Sequence, residues 1–449
     1  MSGAPDEPAT VPSEPVRGMR WSAVLSLGSG VVNQLALLVT GILAARALGP
    51  DGRGTQALFT LLPIVLSQVG TLGLPSAVVY FVGASGVSPR SLARLLRRPA
   101  AVQSAVSALV QVAVLLVIAQ FFHVADWGAA LVTVVLLPML IAHEYATALM
   151  QGQHRLVAFQ VLRSTPNVLY ALALAHVVTS GVEVGLLDVI VTWILALAAG
   201  TALTCAVAWR GLSRDGRDGD ARLVARMRSF GRRSFLGAIS PLESLRVDQL
   251  IAGFFLGPAA LGLYVSAAAF TGLTRTMSQS IGVLAYPDVA RRHRAGAGRG
   301  AVRRGAVYLA LITAATTAIA LVVILTAPWL VTVTFGPEFA DAAGAARILI
   351  VAGALLAVRR VAGDVARGMG RAAVNSWAEG ATLAALVAAF LTYGNQGSAE
   401  AAAWAVLAAA GCGVLVLAAQ VARRPGRPAG SGSAPNRTNS GSPTAGGSR

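Results

Sequence analysis

Long apolar runs alternate with short polar breaks along nearly the whole chain. A hydrocarbon core about 30 Å thick takes about 20 mostly apolar residues to cross as a helix. Runs of that kind begin near Trp21, Thr55, Ala100, Gly128, Phe159, Leu187, Ser234, Ala260, Gly305, Ala343, Ala373 and Glu400, which predicts twelve membrane-crossing helices. Strands are excluded because they would alternate in polarity within much shorter segments. Prolines inside the runs, at Pro63, Pro75, Pro138, Pro166, Pro241 and Pro328, predict kinks or local openings. Proline donates no backbone hydrogen bond and crowds the carbonyl four residues before it.

The polar breaks alternate in charge. All 36 basic residues are Arg, and 28 of them fall in the two ends and in every second break. These breaks hold Arg90, Arg94, Arg97 and Arg98, then Arg155, then residues 210–233 and 291–304, then Arg367 and Arg371. Only Arg46 and Arg53 fall on the other side, in loops that are otherwise very short. The positive-inside rule then places both ends and the long loops in the cytoplasm. The remaining six arginines, Arg163, Arg246, Arg275, Arg347, Arg359 and Arg360, lie inside apolar runs.

Composition agrees with the pattern. The chain is 55% hydrophobic and only 12% charged, whereas soluble domains are about 25% charged. Its net charge of +17 is explained by membrane orientation, so no nucleic-acid partner is expected. Cys205 and Cys412 sit in apolar runs, which implies neither a disulfide framework nor a thiol metal site. The five histidines are scattered, and no phosphate loop, metal cluster or nucleophile elbow is present. No cofactor, metal or catalytic residue is expected. Residues 1–19 lack the apolar core of a signal peptide and, like 423–449, read as a disordered tail. Between them lie a six-helix lobe (20–210), a basic linker (211–233) and a second six-helix lobe (234–422).

An internal repeat relates the lobes. Leu48-Gly49-Pro50 is followed by Gly54, and Leu256-Gly257-Pro258 by Gly262, each at the outer turn after the first helix of its lobe. Six helices per lobe preserve orientation, so the repeat is parallel, about an axis along the membrane normal. Such pairs of lobes hold a path between them and move by rocking.

Several stretches resemble the polysaccharide-transport (Wzx-type) flippases of the multidrug/oligosaccharidyl-lipid/polysaccharide exporter superfamily. They are Ala45-Arg46-Ala47-Leu48-Gly49-Pro50, Gly70-Thr71-Leu72-Gly73-Leu74, Asp248-Gln249-Leu250-Ile251-Ala252, Gly262-Leu263-Tyr264, Phe335-Gly336-Pro337-Glu338-Phe339 and Gly368-Met369-Gly370-Arg371. The resemblance covers most of residues 20–420 and implies a MATE-like, all-α polytopic fold. It also implies export of an undecaprenyl-pyrophosphate-linked oligosaccharide from the inner to the outer leaflet, without covalent chemistry. A polysaccharide polymerase and glycosyltransferases are the partners it suggests, besides membrane lipids. Lipid II flippases in the same superfamily usually carry fourteen helices, against twelve here.

A diphosphate crossing hydrocarbon needs cations, and the planar guanidinium matches phosphate best. Counted at about 1.5 Å per residue, Arg246 and Arg275 lie about 20 Å from the cytoplasmic surface and Arg163, Arg359 and Arg360 about 8–12 Å. Arg246 and Arg275 are therefore the first candidates for the diphosphate, followed by Arg359, Arg360 and Arg163, with Asn33, Gln34, Gln56, Ser67 and Gln68 on the opposite wall. Asp248, Glu243, Glu144 and Asp364 are candidates for ion coupling. Each charge also has a structural reading. Glu243 with Arg246, Arg360 with Asp364 and Glu144 with Arg163 are spaced to neutralise each other, and Asp248 points away from Arg246, where it can pair with Arg275. The amphipathic stretch Ala221–Arg233 is expected in the interface plane between the lobes. Two other functions compete: a cation-coupled exporter of amphipathic molecules, which would favour an acidic cavity, and a non-catalytic scaffold of polysaccharide assembly.

Overall fold

A computed structural model describes residues 16–84, 87–121, 126–213, 215–238, 246–393 and 396–423. Most of the expected tails, Pro241, Glu243 and the outer turn at 122–125 lie outside the described residues. The first lobe contains α1 (Val16–Gly70), α2 (Leu74–Ala84), α3 (Pro89–Phe121), α4 (Trp127–Val132), α5 (Leu136–Gly152), α6 (Leu156–Thr179) and α7 (Leu186–Arg210). Then come the linker helix α8 (Ala221–Ala238), α9 (Val247–Phe255), α10 (Pro258–Ala268) and α11 (Thr271–Arg294). The chain continues through α12 (Gly298–Phe335), α13 (Ala342–Gly368), α14 (Ala372–Tyr393) and α15 (Ala399–Arg423).

Nine of the described helices are long and apolar enough to cross a membrane. α1 is 55 residues long, enough for two passes, and it is two helices joined by a kink at Gly49, whose φ of +66° belongs to a residue without a Cβ. α9 and α10–α11 fall where the seventh and eighth passes are expected, and Ala269 and Phe270 keep helical dihedrals between α10 and α11. The protein is therefore an all-α, multi-pass membrane protein. Side chains such as Leu109, Leu325 and Leu415 are each 71% exposed in mid-helix, a cost in water that vanishes against lipid tails.

Proline marks two of the breaks. The turn at 71–73 precedes Pro75 by four to two residues, and a 3₁₀ turn, Thr133–Val135, precedes Pro138. Each break falls where the missing donor and the ring clash disturb the preceding turn. The lobes meet along α1 and α10, and one apolar cluster runs from Ala45, Ala57 and Leu61 to Tyr264, Phe335 and Phe339. Near the turn that joins α11 to α12, Asp288 of α11 accepts from Arg304 (2.9 Å) and Tyr308 (3.1 Å) of α12.

The linker helix differs from expectation. α8 is docked on the first lobe, with Leu223 and Met227 buried beside Leu74, Val78 and Leu92. Phe230 stacks on Tyr80 at 4.8 Å between ring centroids.

Candidate functional site

A cavity of about 230 Å³ lies between the lobes. Gln34, Thr40, Arg53, Gln56, Asn167, Tyr170 and Trp193 line it from the first lobe, and Arg246, Asp248, Gln249, Thr274 and Arg275 from the second. Among the described residues its charged lining is thus three arginines and one aspartate. The excess is positive.

Each arginine arrives differently. Arg275 projects from the second turn of α11, and like the other two it is half-buried. Arg246 caps α9 in the left-handed conformation (φ +49°, ψ +42°), and its carbonyl accepts from Gln249 N at 3.1 Å and Leu250 N at 3.2 Å. A β-carbon makes that conformation unfavourable, so the fold itself holds Arg246 there. Arg53 is the cavity residue that charge counting missed. The second pass begins at Pro50, directly after the kink, so Arg53 already lies one turn inside it rather than in the outer loop. It donates to Gln56 Oε1 and lines the same cavity as Arg246.

Asp248 is 8% exposed and accepts from the Tyr264 hydroxyl at 2.7 Å. The continuous helix that would turn Asp248 away from Arg246 is absent, because α9 starts only at Val247 and Arg246 caps it in the left-handed conformation. Three polar atoms at the cavity, Arg53 Nε, Gln249 Oε1 and Tyr170 Oη, are buried with no hydrogen-bond partner among the described residues. Buried polar groups are nearly always satisfied, so these atoms are groups a polar cargo would use.

The other candidates lie elsewhere. Arg359 is 1% exposed and pairs with Glu379 of α14 at 2.9 Å, inside the second lobe. Asp364 pairs with Arg367, and Arg360 is half-buried on the same helix. Arg163 is exposed on α6 beside the Phe159 ring, and makes no ion pair with Glu144 among the described residues. Asn33 accepts from Asn167 Nδ2 at 2.8 Å, a helix-to-helix bond between α1 and α6. Gln68 is half-buried and is not part of the cavity lining. No group of three or more His, Cys, Asp or Glu suited to a metal occurs among the described residues.

Residues 42–344 match a family described as polysaccharide biosynthesis protein. The chain belongs to that family. Among curated proteins, no sequence matches this member of it. Its fold is similar to that of an inward-facing multidrug resistance MATE family transporter of the MOP superfamily, with a TM-score of 0.67 at 16% identity over 89% of this chain and 98% of that one. The lipid II flippase MurJ in an inward closed conformation gives 0.70 at 11% identity over 90% and 87%. The MATE multidrug transporter DinF-BH gives 0.63 at 16% over 94% and 98%.

Proposed function

We propose that this protein is a flippase that carries an undecaprenyl-pyrophosphate-linked oligosaccharide across the cytoplasmic membrane, with both chain ends in the cytoplasm. The observation that carries the reading is the cavity in which Arg53, Arg246 and Arg275 outnumber Asp248, in a chain of a polysaccharide-biosynthesis family. Positive charge in a desolvated cavity favours an anion and disfavours a cationic drug. The diphosphate is held by guanidinium forks, sugars meet the polar and aromatic lining, and the prenyl tail stays in lipid. Rocking of the lobes exposes the cavity to either face in turn. Nothing covalent is required.

Proteoliposomes with labelled undecaprenyl-pyrophosphate-linked oligosaccharide in one leaflet test this. The wild type transfers the label to the other leaflet, whereas Arg246→Ala and Arg275→Ala insert normally and lose translocation. Wild-type rates in both variants would remove the arginine site. Accumulation of the lipid-linked sugar on the cytoplasmic leaflet of a deletion strain supports the flippase, and absence of that intermediate would favour a biosynthetic role.

A further inference from the structure

The third pass of each lobe carries the same exposed row. At every fourth position α3 reads Arg94, Arg98, Val102 and Val106, and α12 reads Arg299, Arg303, Val307 and Leu311. All eight side chains are exposed. Counted at the same offset, the covered faces also match, since Ser107, Leu115 and Ile118 of α3 correspond to Ile312, Ala320 and Val323 of α12, and all six are buried. The internal repeat thus extends to a helix in which both the packed and the exposed faces keep register. Steps of four residues rise about 6 Å and overshoot a full turn by about 40°. Each row therefore climbs one side of its helix, two arginines first and branched apolar residues after them.

The apolar half of a row faces hydrocarbon, where exposed Val and Leu cost nothing. Its arginines stand one and two turns away, at the edge of the lipid, and their long side chains reach the headgroup layer. Positive charge is left over there. Among the described residues the ion pair made by these four arginines is that of Arg94 with Asp218, at 3.8 Å between two exposed side chains, and such pairs contribute little in water. Beside each row an arginine is held by an aromatic ring, Arg97 over Trp209 at 5.2 Å and Arg304 over Tyr308 at 5.3 Å. Trp and Tyr favour the boundary between membrane and water, so the two rings mark one level in both lobes. Arg304 also pairs with Asp288 at 2.9 Å, which leaves Arg299 and Arg303 as the charges of that row.

We propose that each row binds an anionic phospholipid of the inner leaflet. The headgroup phosphate sits between Arg94 and Arg98, or between Arg299 and Arg303, and an acyl chain follows the branched residues beyond. A lipid is the occupant because it presents an anion and a hydrocarbon chain in the order of the row, whereas an acidic protein would meet the arginines and leave the apolar half uncovered. Membrane orientation asks only for arginines somewhere in these loops. It does not ask for one four-residue register, set against equivalent buried faces, in both lobes. Two equivalent contacts fix the depth of both lobes in one leaflet, so each lobe rocks about its own lipid. The inference is independent of what the cavity carries, and rests on the proposed orientation only for the choice of leaflet.

Native mass spectrometry of the full chain, released from nanodiscs of equimolar phosphatidylglycerol and phosphatidylcholine, counts the lipids that stay bound. The wild type retains phosphatidylglycerol in preference to phosphatidylcholine, with one molecule for each row. Arg94→Gln with Arg98→Gln removes one, and Arg299→Gln with Arg303→Gln the other, each pair weakening its site about thirtyfold. The same pairs changed to Lys keep most of the binding, which separates loss of charge from loss of fold. Arg232→Gln with Arg233→Gln, on the exposed face of α8 and outside both rows, keeps both lipids, and a large excess of inorganic phosphate displaces neither. Equal retention of the two lipids by the wild type, unchanged counts in both Gln pairs, an equal loss in the α8 pair, or displacement by phosphate overturns the sites. In a background lacking Cys205 and Cys412, reaction of Ala295→Cys with an impermeant maleimide outside intact cells would overturn the orientation, and with it the choice of leaflet, without touching the lipid contact.

Discussion

The arginines divide by what surrounds each guanidinium. Arg359 shows how burial alone misleads, since its depth in an apolar run is the same signal that drew attention to Arg246. Its partner, Glu379, is distant in sequence and on another helix, so no spacing rule reveals the pair. Removing one member of a buried ion pair strands the other charge, so Arg359→Ala lowers stability by about 3 kcal/mol. Replacing both Arg359 and Glu379 by Leu recovers most of that loss in thermal unfolding of the purified protein. Full stability with lost translocation in Arg359→Ala would instead return Arg359 to the transport path. Arg53 is the opposite case. Counting charges by loop placed it outside, because the count assigns no direction to a side chain near a helix start, and the single turn from Pro50 to Arg53 decides where it points.

Among the helices, apolar periodicity located the passes well and their interruptions less well. Pro75 and Pro138 announce their breaks because the missing hydrogen-bond donor is a local property. The start of α9 at Val247 has no such mark at that residue, so the helical spacing argument for Asp248 and Arg246 does not apply there. α8 was legible as amphipathic, but its docking partner was not. Leu223 is 1% exposed in the cluster with Leu74 and Val78, and Leu223→Ala removes about 3 kcal/mol of that docking. Faster hydrogen exchange across 221–238, with the second lobe unchanged, is the expected signature. Equal loss of protection in both lobes would show that α8 belongs to a larger cooperative unit.

At the scale of the whole molecule, the two lobes touch where Gly54 approaches Gly262 and part around a charged cavity. Arg46 of α1 donates to the Thr334 carbonyl of α12 at 2.8 Å, a bond worth about 1 kcal/mol, so Arg46→Ala shifts the equilibrium between joined and parted lobes about fivefold towards parted. A cysteine placed at Thr60, in the cavity lining, then reacts faster with a membrane-impermeant maleimide added from outside, in a background lacking Cys205 and Cys412. An unchanged rate would assign the joining of the lobes to the approach of Gly54 and Gly262 alone.

The chain order of apolar runs and arginines by itself determined a helical membrane protein of two like-oriented lobes, since insertion energies and helix length are local and additive along the sequence. Gly54 and Gly262 were visible there as a repeat, but their meeting was not. Only the tertiary structure decided that they touch, that Arg53 joins Arg246 and Arg275, and that Arg359 belongs to Glu379. Those pairings depend on helix crossings between residues far apart in the chain, where periodicity says which face is apolar and nothing about what lies opposite.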